Sequence, residues 1–261
     1  MSDIILPTGK QHISFSEIQT WKECSWRWKL AYVDRVGERE ESPHASFGTC
    51  VHTSVESFLE TRESDPDGCC RSIAETWEKF GFGDPSTWQA SARAIIADFP
   101  AFIDAELPGW ECLSTEEKLM EAIPSQAGVS FKGFVDAVLV VPDRGNKKKR
   151  WIVDLKTCSW GWSSEKKSSP TVRSQLLLYR EFHARKHSID PKDVRCAFAL
   201  LKRQAKIGKT CELVRVSAGE VSSKRSLAVV DRMVENVSRE LYPKNRNACR
   251  YCQYKDTQWC P

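Results

Sequence analysis

Apolar positions recur along this chain with two different periods. Ser14-Phe15-Ser16-Glu17 sets a serine three residues before a glutamate, as in a capping box, and Ile18, Trp21, Trp28 and Tyr32 then follow at near-helical spacing. This predicts a first helix over 15–33. Val51, Val55, Phe58 and Leu59 form the stripe of a second helix over 48–63. Two more are predicted over 70–82 and 86–106, the latter carrying Trp88, Ile95, Phe99, Phe102 and Ile103. Beyond Glu111 the period becomes that of strands: one over 118–123, a turn at Gln126-Ala127-Gly128, a second over 129–141, the polar turn Pro142-Asp143-Arg144-Gly145-Asn146, and a third over 150–156. A helix over 170–186, strands over 194–201 and 213–216, and a long helix over 219–241 complete the chain. The turns suit antiparallel hairpins, and the order α, β, then αββα predicts an α/β fold with one central mixed sheet flanked by helices. Neither an internal repeat nor a low-complexity segment interrupts it.

The 261 residues, 41% of them hydrophobic, suffice for a sizeable core. No run approaches the ~18 apolar residues of a membrane helix, and Met1-Ser2-Asp3-Ile4-Ile5-Leu6-Pro7 lacks the basic start and apolar length of a signal peptide, so a cytoplasmic protein without a membrane partner is expected. A net charge of +4 and pI near 8.4 permit a polyanionic partner without requiring one. The basic residues bunch at Lys147-Lys148-Lys149-Arg150, at Lys202, Arg203, Lys206 and Lys209, and at Arg239, Lys244, Arg246 and Arg250. Eleven cysteines, an odd number without a secretion signal, argue against a disulfide framework and for metal ligation by Cys24, Cys249, Cys252 and Cys260.

Candidate chemistry centres on Trp151-Ile152-Val153-Asp154-Leu155-Lys156-Thr157. In a strand, Asp154 and Lys156 leave the sheet on one face, which taken alone is an ordinary surface ion pair. Asp136 lies in the preceding predicted strand, so the two acids can meet across the hairpin. His52 and Glu56, four apart on a helix, share a face. Two carboxylates, an imidazole and the Leu155 backbone carbonyl would hold Mg²⁺ or Mn²⁺ with positions left for water and phosphate, and Lys156 would orient the attacking water or stabilise the phosphoryl group. Ile207-Gly208-Lys209-Thr210 imitates a phosphate-binding loop, but that motif needs a glycine where Arg203 stands.

His52 in Gly48-Thr49-Cys50-Val51-His52, Asp136 in Gly133-Phe134-Val135-Asp136, Asp154-Leu155-Lys156, and Gln175 followed by Tyr179 resemble, in order, the motifs of the RecB-like branch of the PD-(D/E)XK nucleases. The resemblance implies a restriction-endonuclease-like core, a metal site of His52, Asp136 and Asp154 with Lys156 catalytic, and DNA contacts from Gln175 and Tyr179. Glu56 is not carried over as a motif residue and reads as support for the ligands. Cys24 ahead of Ser-Trp-Arg-Trp-Lys, with Cys249, Cys252 and Cys260, is similar to the cysteine set of iron-sulfur members such as the AddB nuclease domain and the CRISPR-adaptation nuclease. That implies a [4Fe-4S] cluster clasping the chain ends, with a four-thiolate Zn²⁺ site as the alternative; the Cys252–Cys260 spacing is longer than the family's.

The expectation is therefore a single nuclease domain over 1–261, with a helical insertion lobe at 64–110 and an iron-sulfur lobe made of 1–33 and 242–261. Its function would be that of a metal-dependent DNA exonuclease acting on single strands or duplex ends in recombination, repair or phage DNA processing, in a bacterial or phage-infected cytoplasm. The alternative is a nuclease-fold DNA-binding or assembly subunit of a recombination or CRISPR-adaptation complex. With no motor in the chain, a helicase or single-strand annealing protein is the expected partner.

Overall fold

The computed structural model describes residues 4–37, 41–145 and 147–261; residues 1–3 of the chain start and Asn146 of the predicted turn lie outside the described residues. The chain runs β1 (His12–Ser14), α1 (Phe15–Glu23), α2 (Ser25–Trp28), a π-helical turn (Lys29–Val33), α3 (Pro43–Thr61), α4 (Pro66–Phe80), α5 (Ser86–Glu106), β2 (Glu111–Ala122), β3 (Ser130–Pro142) and β4 (Lys148–Cys158). There follow α6 (Ser164–Ser168), α7 (Pro170–Lys186), β5 (Val194–Lys202), β6 (Cys211–Val216) and α8 (Glu220–Ser238), with short 3-10 turns at Pro191–Asp193 and Arg246–Tyr251.

The six strands form one mixed sheet, and the α/β architecture is the one expected. β3 is its hub. Along one edge it pairs antiparallel with β2 from Ser130 to Val140, so its other partners must share the opposite edge. There β1 pairs parallel with Ser130–Lys132 and β4 antiparallel with Ala137–Pro142, leaving residues 133–136 of that edge without a strand partner. β4 continues parallel to β5, which pairs antiparallel with β6.

Both faces of the sheet are covered, so β4 and β5 are nearly continuous apolar runs. Phe131, Ile152 and Phe198 face the layer of α1, α7 and α8, where Trp21, Leu176, Phe182 and Met233 are buried. Leu139, Val153, Leu155 and Ala199 face α3, α4 and α5, which contribute Val51, Phe58, Ile73, Trp77 and Ile95. α1 and α3 begin on serines whose side chains accept from Glu17 and Ala45 amides, and α4 on Asp65, which accepts from Gly68.

The predicted helix over 15–33 is a correction. It breaks at Cys24, whose φ of −161° is extended, and the break turns the thiol outward from the helical path so that the Asn245 amide donates to Sγ at 3.4 Å. α3 starts at Pro43, five residues before the predicted Gly48, because Ser42 caps it and proline suits a first turn. β2 likewise begins at Glu111 instead of 118, its exposed half having too few apolar residues to show a period. Gly208 and Thr210, the phosphate-loop look-alike, donate their amides to Asp98 Oδ2 at 2.7 and 3.3 Å, so a carboxylate occupies the positions a phosphate would need. No helix among the described residues is long and apolar enough to cross a membrane.

Candidate active site

The predicted site residues fall where β3 and β4 part. Their ladder ends at the Ala137–Val153 pair. The next residues in register, Asp136 and Asp154, stand opposite one another just past the last bonded pair. Val135 packs with the α7 layer and Ala137 with the α3 layer, so two positions that should share a face do not, and the strand changes phase at Asp136. Asp136 compensates for the lost ladder bond: its Oδ2 accepts the Leu155 N–H at 2.6 Å. The fork thus holds one carboxylate from each strand with the backbone of Leu155 between them.

Two glycines permit the neighbours to close in. A Cβ at Gly48 would sit 3.1 Å from Thr157 Oγ1, so the bare backbone lets α3 approach the end of β4. One turn later, this brings His52 Nδ1 to 3.9 Å from Asp136 Oδ2. A Cβ at Gly133 would lie 2.8 Å from Tyr179 Cε1, so this glycine admits the Tyr179 ring against β3. Gln175 Nε2 donates to the Tyr179 hydroxyl at 3.3 Å, which places both α7 residues beside the gap between β1 and β4.

Asp154 is 1% exposed, and its Oδ1 has no hydrogen-bond partner. Lys156 Nζ, 2.8 Å from Oδ2, is the donor group beside the carboxylate. Burial raises the Asp154 pKa, and Lys156 opposes the rise. Burial, then the charge of Asp154, pushes Asp136 well above the carboxylate range. Burial alone would lower Lys156; Asp154 outweighs it and the ammonium is held charged. Burial, with Lys156 second, lowers His52 to about 4, leaving a neutral imidazole at pH 7. Two crowded carboxylates short of donors beside a neutral imidazole fit a hard divalent cation, which would supply the missing positive charge.

Glu56, set aside as a motif residue, is nearer the ligands than expected. His52, Glu56 and Asp136 offer ligand atoms that all lie within 4.8 Å of one another. Its i,i+4 spacing from His52 was the available sequence clue.

A second His-carboxylate group, Glu117 with His183 and His187, has the ligand types of a metal site but a different chemistry. Arg150 Nη1 lies 3.2 Å from His183 Nε2, and a guanidinium only donates, so Nε2 accepts and Nδ1 carries the proton toward Glu117 at 3.1 Å. A cation on Nδ1 would need the opposite tautomer. His187, at 2.9 Å, and Lys186, at 3.1 Å, complete a partly buried anion-centred network joining β2 to α7.

At the chain ends, Cys24, Cys249, Cys252 and Cys260 line one small cavity with Leu30, Asn245 and Tyr254. Trp26 Nε1 donates to the Trp259 carbonyl across it, at 3.1 Å. None of the four is in a disulfide, and they are not among the groups of described residues whose ligand atoms all lie within 4.8 Å of one another.

Comparison with known proteins identifies the family. A family model described as the PD-(D/E)XK nuclease superfamily matches residues 12–261, and the chain belongs to that superfamily. Its members are nucleases that typically use Mg²⁺ or Mn²⁺. Among solved structures, a candidate exonuclease from Eubacterium rectale superposes with a TM-score of 0.60 at 14% identity, over 96% of this chain and 90% of that one. The protein SSO0001 shares 12% identity over 94% of this chain and 84% of that one, at a TM-score of 0.41. No curated protein matches the chain by sequence.

Proposed function

We propose that the chain is a metal-dependent DNA exonuclease of the RecB-like branch, acting on single strands or duplex ends. The observation that carries this reading is the buried Asp154, facing Asp136 at the strand fork with the Lys156 ammonium at Oδ2 and no partner at Oδ1. His52, Asp136, Asp154 and the Leu155 carbonyl would hold Mg²⁺ or Mn²⁺. An ion held by these residues would supply charge to neutralise the scissile phosphate, acidify a water and stabilise the leaving oxygen. Lys156, anchored by Asp154 but 35% exposed along its side chain, directs its ammonium to the attacking water and the developing phosphoryl charge. Neutral His52 binds without first losing a proton.

A path for DNA adjoins the fork. Lys10, His12, Lys132, Phe134, Gln175 and Tyr179 line one open cleft, and Phe134 exposes 42% of its surface two residues from Asp136. Lysines attract the backbone while an exposed ring stacks an unpaired base, which favours a single-stranded substrate. Strand separation then falls to a partner such as a helicase or a single-strand annealing protein, in recombination, repair or phage DNA processing. The cysteine cavity would hold a [4Fe-4S] cluster that ties residues 1–33 to 242–261, while 64–110 forms a helical lobe over the core.

Degradation of end-labelled DNA tests the assignment. Mg²⁺- or Mn²⁺-dependent mononucleotide release is expected, blocked by capping one end, with Lys156→Ala slower by about 10²–10³-fold. Equal rates for wild type and Lys156→Ala would refute it.

A further inference from the structure

We propose that the groove where α1, α7 and α8 meet is a docking site for an acidic segment of a partner protein, entered by one apolar side chain. The groove closes on a cavity of about 170 Å³, comparable with the ~150 Å³ that accepts a single benzene ring. Buried Ile18, Leu177 and Leu178 and half-buried Val229 supply an aliphatic floor. That is room for one leucine or phenylalanine side chain.

The rim carries the opposite chemistry. Lys22 of α1, Arg173 of α7 and Arg225 of α8 line the groove, and among the described residues no acidic side chain does. Lys22 Nζ donates to Thr171 Oγ1 at 2.9 Å and Arg173 Nη2 to the Ser217 carbonyl at 2.7 Å, so both cations rest on neutral acceptors, while Arg225 is exposed. α7 also begins at this rim, on Pro170, without a side-chain cap, and its first-turn amides add partial positive charge. Cations contributed by three helices around an apolar hole complement carboxylates that flank an apolar anchor. A nucleic-acid strand could use the cations, but its bases stack on exposed rings and the floor here is aliphatic. Phe15 forms a wall of both this groove and the cleft that holds Gln175 and Tyr179. A partner held here would stand beside the proposed DNA path, where a protein that separates or delivers strands acts. The docking itself does not depend on the nuclease reading.

Fluorescence anisotropy of a labelled peptide of aspartates around one central phenylalanine, titrated in EDTA with the intact chain, tests this. Saturable binding is expected, weakened by about tenfold or more when alanine replaces the phenylalanine, when Arg225→Glu reverses the rim charge, or when Val229→Trp fills the floor. The same peptide with lysines for aspartates should not bind. Melting curves identify a Val229→Trp chain that fails to fold, in which case the exposed Arg225→Glu carries the test. Arg225→Glu should degrade single-stranded DNA at the wild-type rate, and Lys156→Ala should bind the peptide as wild type does. Equal affinity for the phenylalanine and alanine peptides, binding unchanged in Arg225→Glu, or no binding at about 1 mM overturns the docking site and leaves the nuclease standing. Competition by oligothymidylate that Arg225→Glu abolishes would make the groove a strand path and overturn it as well.

Discussion

Asp154→Asn should abolish metal-dependent cleavage without destabilising the metal-free protein. The carboxylate is 1% exposed, has no partner at Oδ1 and faces Asp136 across the fork, so its charged form is held against desolvation with only Lys156 opposing the cost. A buried ion costs several kcal/mol even after relaxation, whereas a neutral amide left without partners costs about 1–3 kcal/mol. The exchange also deprives Lys156 of its partner, but that side chain is 35% exposed and can reach water, for a loss under about 1 kcal/mol. The net change in EDTA is expected between zero and about +2 kcal/mol of stability. Adding Mn²⁺ should reverse the order, because an ion at 100 times its dissociation constant stabilises wild type by about 2.7 kcal/mol and the variant far less at that seat. For a chain of this size that amounts to roughly 5–10 °C in Tm. Differential scanning fluorimetry in EDTA and in Mn²⁺ gives both numbers. A variant that melts more than about 5 °C below wild type in EDTA would show that Asp154 is a satisfied structural carboxylate, and the reasoning for a preorganised cation seat would fail.

Gly133→Ala should lower stability by about 1–2 kcal/mol in urea denaturation, since overpacking against the buried Tyr179 and Phe131 rings, 2.8 and 3.1 Å from the new Cβ, outweighs the small gain from a stiffer unfolded chain; Tyr179→Leu in the same chain should relieve it. Glu117→Gln should cost about 1–3 kcal/mol at pH 7, because burial raises this carboxyl but His183, His187 and Lys186 more than reverse that and hold its pKa well below the usual range. A depressed carboxylate contributes stability above its unfolded pKa of about 4.3 and loses it as pH falls toward the folded value, so the gap between wild type and Glu117→Gln should narrow below about pH 4. Cys24→Ser should remove the broad visible absorbance of an iron-sulfur cluster from anaerobically purified protein and loosen the C-terminal segment to proteolysis; a colourless wild type with stoichiometric zinc would favour the tetrathiolate alternative.

The layers and most strands were legible because each element is periodic over enough residues. β3 and β4 alternate between two buried faces, and α5 shows the same boundaries in sequence and structure. What the period could not show was interruption. Ile18, Trp21, Trp28 and Tyr32 keep helical spacing across Cys24 because the chain resumes helical winding after one extended residue, and the wider π-helical turn that follows still stacks Tyr32 on Trp28. The three residues of β1 are too few for any period, and their strand exists only because β3 offers an unpaired edge.

The site was legible to the extent that it is built from neighbours in sequence or in register. Asp154 and Lys156 are two apart on one strand, and Asp136 pairs with Asp154 by continuing the hairpin count. The phase change at Asp136 was not legible. It arises opposite Glu116, whose φ of +44° is a backbone conformation that side chains rarely adopt, and which no residue pattern marks. There the ladder with β4 ends, the Asp136 carboxylate accepts the Leu155 amide, and its Oδ2 lies 3.9 Å from His52 Nδ1 on α3. A regular strand would have aimed Asp136 at one face only. The fork therefore does more than place two acids together: by breaking the alternation of β3, it lets one carboxylate serve both layers of the fold.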